Sequence, residues 1–115
     1  MDFQKYFEYK NYNFIIPVNE IMKLNERELG SLYAENDEST KFNVYFILLN
    51  EYHYLEQSNN FEESAHVCYL ISYYLFHLLT PPASEELAMI YAQKARTIHD
   101  IPKYHEWIEE VEKGN

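Results

Sequence analysis

This 115-residue sequence contains five histidines, the side chains most typical of metal sites. His66 and His77 fall on one face of a predicted helix, because eleven residues return an α-helix almost to the same direction. Their separation along that helix is ~16 Å at about 1.5 Å per residue, which is too far for one ion to bridge. The sequence contains neither HExxH nor the paired Glu-x-x-His of di-iron bundles. We therefore expect no metal site and no other cofactor.

The single cysteine, Cys68, cannot form an internal disulfide. Its sequence neighbours are apolar or aromatic, whereas a catalytic thiol needs a nearby base in an electropositive setting. We interpret Cys68 as a buried thiol of a reducing compartment. No basic start followed by an apolar run opens the chain, as a secretory signal would. The prediction is a cytoplasmic protein.

Arg96 and His99 are the residues that come nearest to a catalytic pair. They resemble the Arg and His of helical ribonucleases of the HEPN type, but those enzymes usually place more residues between the two. Only Thr97 and Ile98 intervene here, so we interpret Arg96 as solvent-exposed and His99 as a residue near a helix end. The sequence has no Gly-rich phosphate loop, nucleophile elbow or Ser-His-Asp constellation. We expect a protein that is not an enzyme.

The charge balance is acidic, with 9 Lys and Arg against 19 Asp and Glu and a formal net charge of −10. Residues 42–93 contain no Lys or Arg at all. Proteins that bind nucleic acid need clustered cations to displace the counterions of phosphate, so we predict no nucleic-acid partner. An acidic surface commonly serves solubility, and it also favours attraction to a basic protein.

Residues 67–79 read VCYLISYYLFHLL and contain no Lys, Arg, Asp or Glu. A membrane-spanning helix needs ~20 apolar residues, and this shorter stretch also holds His77 and three tyrosines. We predict no membrane span. The stretch is therefore either the middle of a core or a surface that meets another protein.

The elements that carry these residues are predicted to be helices. The chain has only 2 Gly and 4 Pro and is 47% hydrophobic, which fits long helices better than the turn-rich pattern of all-β folds. Apolar spacings of three and four predict helices over 41–57, 61–79, 83–99 and 102–113. Residues 1–38 are less regular, with a short helix expected over 3–9 and another that Asn19 would cap. We predict one all-α domain over residues 1–115, a bundle or stacked antiparallel hairpins of four to five helices.

The helix over 41–57 has two apolar strips, which predicts neighbours on two sides. The residues of the first strip are Phe42, Tyr45, Phe46, Leu49 and Tyr52, and those of the second are Val44, Leu48 and Leu55.

The helix over 61–79 is predicted to have two different sides. Asn59 and Asn60 followed by acids indicate a capping pair at its start. Its inward side carries Ala65, Cys68, Ser72 and Leu75. We expect a partner-binding region, partly accessible to solvent, that has acidic residues from adjoining helices nearby; its residues are Tyr69, Tyr73, His77, Glu62, Glu63, Glu85 and Glu86. The alternative is a central helix that is buried on all sides.

Two segments within residues 59–99 resemble tetratricopeptide repeats. In SEELAMIYAQKARTI, Ala88, Tyr91 and Ala95 fall where that family places small, aromatic and small residues. NNFEESA resembles the turn and start of the family's second helix. The two similar points, Ser64 and Ala88, are 24 residues apart, against a family period of ~34, and the first-helix Trp-Leu-Gly-Tyr pattern is missing. The resemblance implies stacked helical hairpins and a protein-binding habit.

These observations predict a non-enzymatic, acidic protein-binding module. Its sharper form is an immunity or antitoxin-type inhibitor that covers a basic partner such as a nuclease toxin. Opposite charge speeds such an encounter, and buried aromatic side chains hold the complex. The alternative is a tetratricopeptide-like adaptor or regulator that binds a peptide or protein in a helical groove. The sequence leaves the partner's identity and the oligomeric state open.

Overall fold

The computed structural model of the chain describes residues 3–8 and 15–114. Within those residues the regular structure is helical and there is no strand. The helices are α1 (Gln4–Phe7), α2 (Val18–Ile21), α3 (Glu26–Ala34), α4 (Glu38–Gln57), α5 (Phe61–Tyr73, continued by a π-helical turn over Tyr74–Leu79), α6 (Ser84–Ile98) and α7 (Pro102–Lys113). The all-α prediction is confirmed. The described helices outnumber the predicted four to five because the first third folds into short pieces.

Helix α5 is the centre of the fold. Every residue from Ser64 to Ser72 is buried, with α4 and α6 packed against it and α7 packed against α6. On α6, the small side chains Ala88, Ala92 and Ala95 are fully buried, because small residues let two helices approach closely. Most of the uncharged stretch that begins at Val67 is therefore core.

The break between α2 and α3 corrects the single helix expected after Asn19. Asn25 caps α3 instead, since its side chain accepts the Glu28 N–H at 2.9 Å. Just before this cap, the Leu24 carbonyl accepts a hydrogen bond from Nε2 of His66 at 2.8 Å. Burial lowers the pKa of His66 and outweighs that bond, which favours the neutral form of the ring. The short helix expected over 3–9 is present as α1, and residue 9 lies outside the described residues.

Only one of the two apolar strips of α4 packs fully into the core. Val44, Leu48 and Leu55 have no exposed surface, whereas Phe42 is 48% and Phe46 61% exposed. The prediction that α4 has neighbours on two sides is thus wrong for Phe42 and Phe46, which point outward. The helix also begins three residues before the predicted start, because Asp37 accepts the Thr40 N–H at 2.9 Å.

The two ends of α5 depart from simple helix rules. Asn60 is the N-terminal cap, but its side chain binds Ser58 rather than an α5 amide, so the predicted capping pair is wrong. At the other end, the Thr80 N–H donates to the Leu75 carbonyl at 3.2 Å and closes a wider π-helical turn. The Tyr74 hydroxyl ties this turn to α4 by donating to the Lys41 carbonyl at 2.6 Å.

Helices long and apolar enough to cross a bilayer are absent from residues 3–8 and 15–114.

Candidate protein-binding site

An aromatic cluster joins α5 to α7, with Trp107 at its centre. The Trp107 ring lies between 5.5 and 5.7 Å, centroid to centroid, from the rings of Tyr69, Tyr73, Phe76 and His77. Aromatic rings at such distances stabilise a contact beyond the area they bury. The side of α5 that carries the predicted binding tyrosines is therefore the side on which α7 packs.

The predicted binding residues of α5 differ in their exposure. Tyr69 is 5% exposed, which corrects the expectation that it would be accessible. Tyr73 is half-buried at the edge of the cluster, and His77 is exposed. The physical reason is that α7 is amphipathic, and its apolar side buries Tyr104 and Trp107 against Tyr69.

The position of α7 is fixed by a chain of two buried hydrogen bonds. Nε1 of Trp107 donates to the Ser72 hydroxyl at 2.7 Å, and that hydroxyl donates to the Ala88 carbonyl at 2.6 Å. One polar side chain on α5 thereby links α7 to α6. Ser72 was predicted to lie on the inward side of this helix, and it does, at 0% exposure.

A charged group next to this cluster holds α3 to α5 and α7. The Tyr69 hydroxyl donates to Oε2 of Glu26 at 2.6 Å, and Nζ of Lys103 lies 3.7 Å from the same oxygen. Lys103 also sits over the Tyr69 ring, 4.4 Å from its centroid. Partial burial acts to raise the pKa of Glu26. The hydrogen bonds from Tyr69 and from its own backbone N–H, together with the charge of Lys103, outweigh burial and lower the pKa, which favours the ionised carboxylate.

These contacts form one wall of a cleft of about 500 Å³ on the α7 side of the molecule. Its lining residues are Glu26, Tyr69, Lys103, Glu106, Trp107, Glu109 and Glu110. Four carboxylates face one ammonium group there, and Glu106, Glu109 and Glu110 are exposed. The cleft therefore combines a negative rim with an aromatic wall, an arrangement suited to a cationic, partly apolar surface.

The four acids singled out from the sequence do not form one patch. Glu62 and Glu63 occupy the first turn of α5, and Glu85 and Glu86 the first turn of α6. Because these helices form an antiparallel hairpin, the two pairs lie at opposite ends of it. Glu62 lies near enough to Tyr104 to add to the increase in that residue's pKa, which burial mainly causes. The two pairs thus lie near opposite ends of α7, since the Glu85 carboxylate is close to Gly114.

The acids of α7 that line the cleft are not among the residues predicted from the sequence to bind a partner. The sequence did contain a signal for these acids, because Glu106, Glu109 and Glu110 all lie within three residues of Trp107. The contribution of Glu26 had no local signal. It lies 43 residues from Tyr69, its hydrogen-bond partner.

The lining residues of the cleft include neither Cys68 nor any of the histidines among the described residues. Cys68 is a buried free thiol, as predicted, and burial raises its pKa to about 12. The described residues contain no cluster of three or more His, Cys, Asp or Glu that could hold a metal ion. The His99 ring packs against Tyr104 at 6.4 Å between centroids.

Because known proteins offer no match, a functional conclusion for this chain depends on its own geometry. No family model, curated protein or solved structure matches it.

Proposed function

We propose that this chain is a non-enzymatic protein-binding module that inhibits a basic partner, in the manner of an immunity protein or antitoxin against a nuclease toxin. The observation that carries the proposal is the cleft in which Glu26, Glu106, Glu109 and Glu110 surround the aromatic wall of Tyr69 and Trp107. A nuclease must present cations to bind phosphate. An acidic surface that covers those cations competes directly with the nucleic acid.

The net charge of −10 supports this function at the stage of encounter. Complementary charge raises association rates between proteins, and the effect is strongest at low salt. The chain has no Lys or Arg between residues 42 and 93, so a cationic partner meets little local repulsion from that half of the sequence.

The rigidity of the cleft supports the same function at the stage of binding. Trp107 is fixed by its bond to Ser72, and Tyr69 by its bond to Glu26. Side chains that are already ordered lose less entropy when a partner binds. Trp107 and Tyr69 are largely buried, so we expect a partner's Lys or Arg to contact the exposed edge of this wall and the carboxylates around it.

The test is capture of the partner from the native host by the tagged chain, followed by mass spectrometry. The cleft variant carries Glu106→Lys with Glu109→Lys, and the matched control carries Glu8→Lys with Glu35→Lys, at exposed positions that do not line the cleft. Both variants change the net charge from −10 to −6, since each substitution adds two positive charges. We expect the wild-type chain and the control to capture a basic protein that the cleft variant loses.

A second arm tests inhibition. The captured protein, purified, should show nuclease activity that the wild-type chain suppresses and the cleft variant does not. Equal capture by both double variants would contradict the assignment of the cleft. Capture of partners that are not basic would contradict the proposed function itself, and would favour the adaptor alternative.

A further inference from the structure

The outward face of α4 is a mainly aromatic stripe, without an exposed Asp, Glu, Lys or Arg, that the proposed cleft does not use. Phe42 and Phe46 are its most exposed residues, at 48% and 61%, and Leu49 and His53 continue it toward the end of the helix. Between Lys41 and Glu56 the only acid or base among Lys, Arg, Asp and Glu is Glu51, which is buried. Single exposed apolar residues are ordinary, but a continuous apolar stripe on a small charged protein marks a contact surface.

A groove of about 450 Å³ adjoins this stripe between α4 and α6. Tyr52 and Glu56 form its α4 side, and Ile90, Lys94 and Ile98 belong to its α6 side. Ile90 is 48% exposed. The α4 wall is fixed, because the Tyr52 hydroxyl donates to Oε2 of Glu56 at 2.7 Å. The face therefore extends from α4 onto α6, next to the C-terminal half of α4. There its apolar residues alternate with the polar side chains of Glu56, Gln93, Lys94 and Thr97.

We propose that this face binds a second copy of the chain, with the two α4 helices antiparallel across a two-fold axis. The positions 42, 46, 49 and 53 are separated by steps of four, three and four residues, which read the same in both directions. A two-fold axis opposite residues 47 and 48 pairs Phe42 with His53 of the second copy and Phe46 with Leu49. Such self-complementarity is what a two-fold interface requires.

The charges select this occupant and this orientation. Two copies that each carry a net charge of −10 repel each other wherever carboxylates meet, and the stripe between Lys41 and Glu56 is a face without exposed carboxylates. A parallel pairing would place Glu56 against Glu56. The antiparallel pairing instead places Glu56 opposite residue 39 of the second α4, between Glu38 and Lys41, and Lys41 there lies 3.3 Å from Glu38.

The size of the face is typical of a small, reversible interface. Helix α4 has 20 residues and α6 has 15, so they are ~30 Å and ~22 Å long and about 10 Å wide, and together they offer roughly 500 Å² per copy. Standard protein interfaces bury about 800 Å² per partner. We therefore expect a dimer that dissociates in the micromolar range rather than a permanent one.

The first test is sedimentation of the full chain across a wide range of concentration. Wild type should pass from monomer to dimer, and Phe46→Glu should weaken the dimer at least tenfold. Phe61→Glu is the matched control, because Phe61 is 54% exposed and lies at the start of α5, outside the stripe. Like Phe46→Glu, the Phe61→Glu substitution removes an exposed phenyl ring and adds one negative charge. A wild-type chain that stays monomeric at all concentrations would overturn the proposal, as would equal weakening by both variants.

The second test fixes the register. Phe42→Cys combined with His53→Cys should form an intermolecular disulfide on mild oxidation, because the proposed axis brings these two positions together. Phe42→Cys alone should not, since residues 42 of the two copies would lie ~16 Å apart along the helices. Wild type also contains a cysteine, Cys68, which is buried and free. The wild-type chain, oxidised in the same way, therefore measures any crosslinking through Cys68 of unfolded molecules. Rapid crosslinking of Phe42→Cys alone would rule out the antiparallel arrangement.

Discussion

At the scale of single residues, the most unusual group in the fold is the Glu51 carboxyl. Glu51 has no exposed surface although it lies on α4. The Ile16 N–H donates to its Oε1 at 2.8 Å, while its Oε2 has no hydrogen-bond partner among residues 3–8 and 15–114. Burial raises the pKa of Glu51 to about 7, and the bond from Ile16 only partly offsets that increase. Glu51 therefore ties the segment before α2 to α4, and it does so best as a neutral acid.

This arrangement predicts how stability depends on pH. The folded-state pKa lies above the ordinary value of 4.5, so the proton on Glu51 stabilises the fold fully below about pH 4.5 and this contribution is lost as the pH rises through about 7. Glu51→Gln keeps the shape and cannot ionise. Between pH 4.5 and pH 8 the free energy of unfolding of wild type should fall, relative to that of Glu51→Gln, by up to about 3 kcal/mol. Urea denaturation at a series of pH values measures the difference.

The control for this experiment is Glu35→Gln, which removes a carboxyl on the exposed residue that follows α3. It should retain the pH dependence of wild type. If Glu51→Gln also retains it, the Glu51 carboxyl titrates in the folded protein as it does in the unfolded chain, and the account of its burial is wrong.

At the scale of the elements, α5 has a buried side and an edge, and the two should respond differently to truncation. Leu75 is fully buried in the π-helical turn, whereas Tyr73 is half-buried beside Trp107. Leu75→Ala should lower the free energy of unfolding by ~2–5 kcal/mol, because it leaves a cavity. Tyr73→Ala should cost less, roughly 1–2 kcal/mol, since solvent can fill the space that the ring leaves. Chemical denaturation of the two variants makes the comparison.

The conservative variant Leu75→Met keeps the side-chain volume and changes only its shape. It should lower the free energy of unfolding by less than about 1.5 kcal/mol. An equal loss for Leu75→Ala and Tyr73→Ala would mean that the α5 edge is as tightly packed as its centre. In that case Tyr73 could not serve at the margin of a binding surface.

The elements also show how far the sequence can predict this fold. Helical spacing located α4 to α7 to within three residues, because periodicity is a local property that each helix carries by itself. It could not decide which strip of α4 faces inward, since Phe42 and Phe46 satisfy the same spacing as Val44 and Leu48. That choice depends on the surface α5 offers. The cleft likewise depends on long-range contacts, such as Tyr69 with Glu26 and with Trp107, which no local pattern encodes.

At the scale of the whole molecule, the excess of carboxylates acts on the folded state as self-repulsion. The molecule measures 36 × 32 × 22 Å, and the Debye length is about 30 Å at 0.01 M salt but only about 8 Å at 0.15 M. At low salt, charges on opposite sides therefore repel each other through much of the molecule. The ion pairs Glu38–Lys41, Glu26–Lys103 and Glu110–Lys113 are partly or largely exposed, and such pairs are each worth about 1 kcal/mol or less.

We therefore expect added sodium chloride to stabilise the protein. Between low and physiological ionic strength the melting temperature should rise by a few degrees, because screening relieves repulsion that is larger than the attraction lost from the ion pairs. The variant with Glu106→Lys and Glu109→Lys has a net charge of −6 in place of −10, so its melting temperature should rise less over the same interval. Thermal unfolding followed by circular dichroism gives both values. A melting temperature that falls with salt would show that the ion pairs outweigh the net charge, and the acidic surface would then be balanced locally rather than free to attract a basic partner.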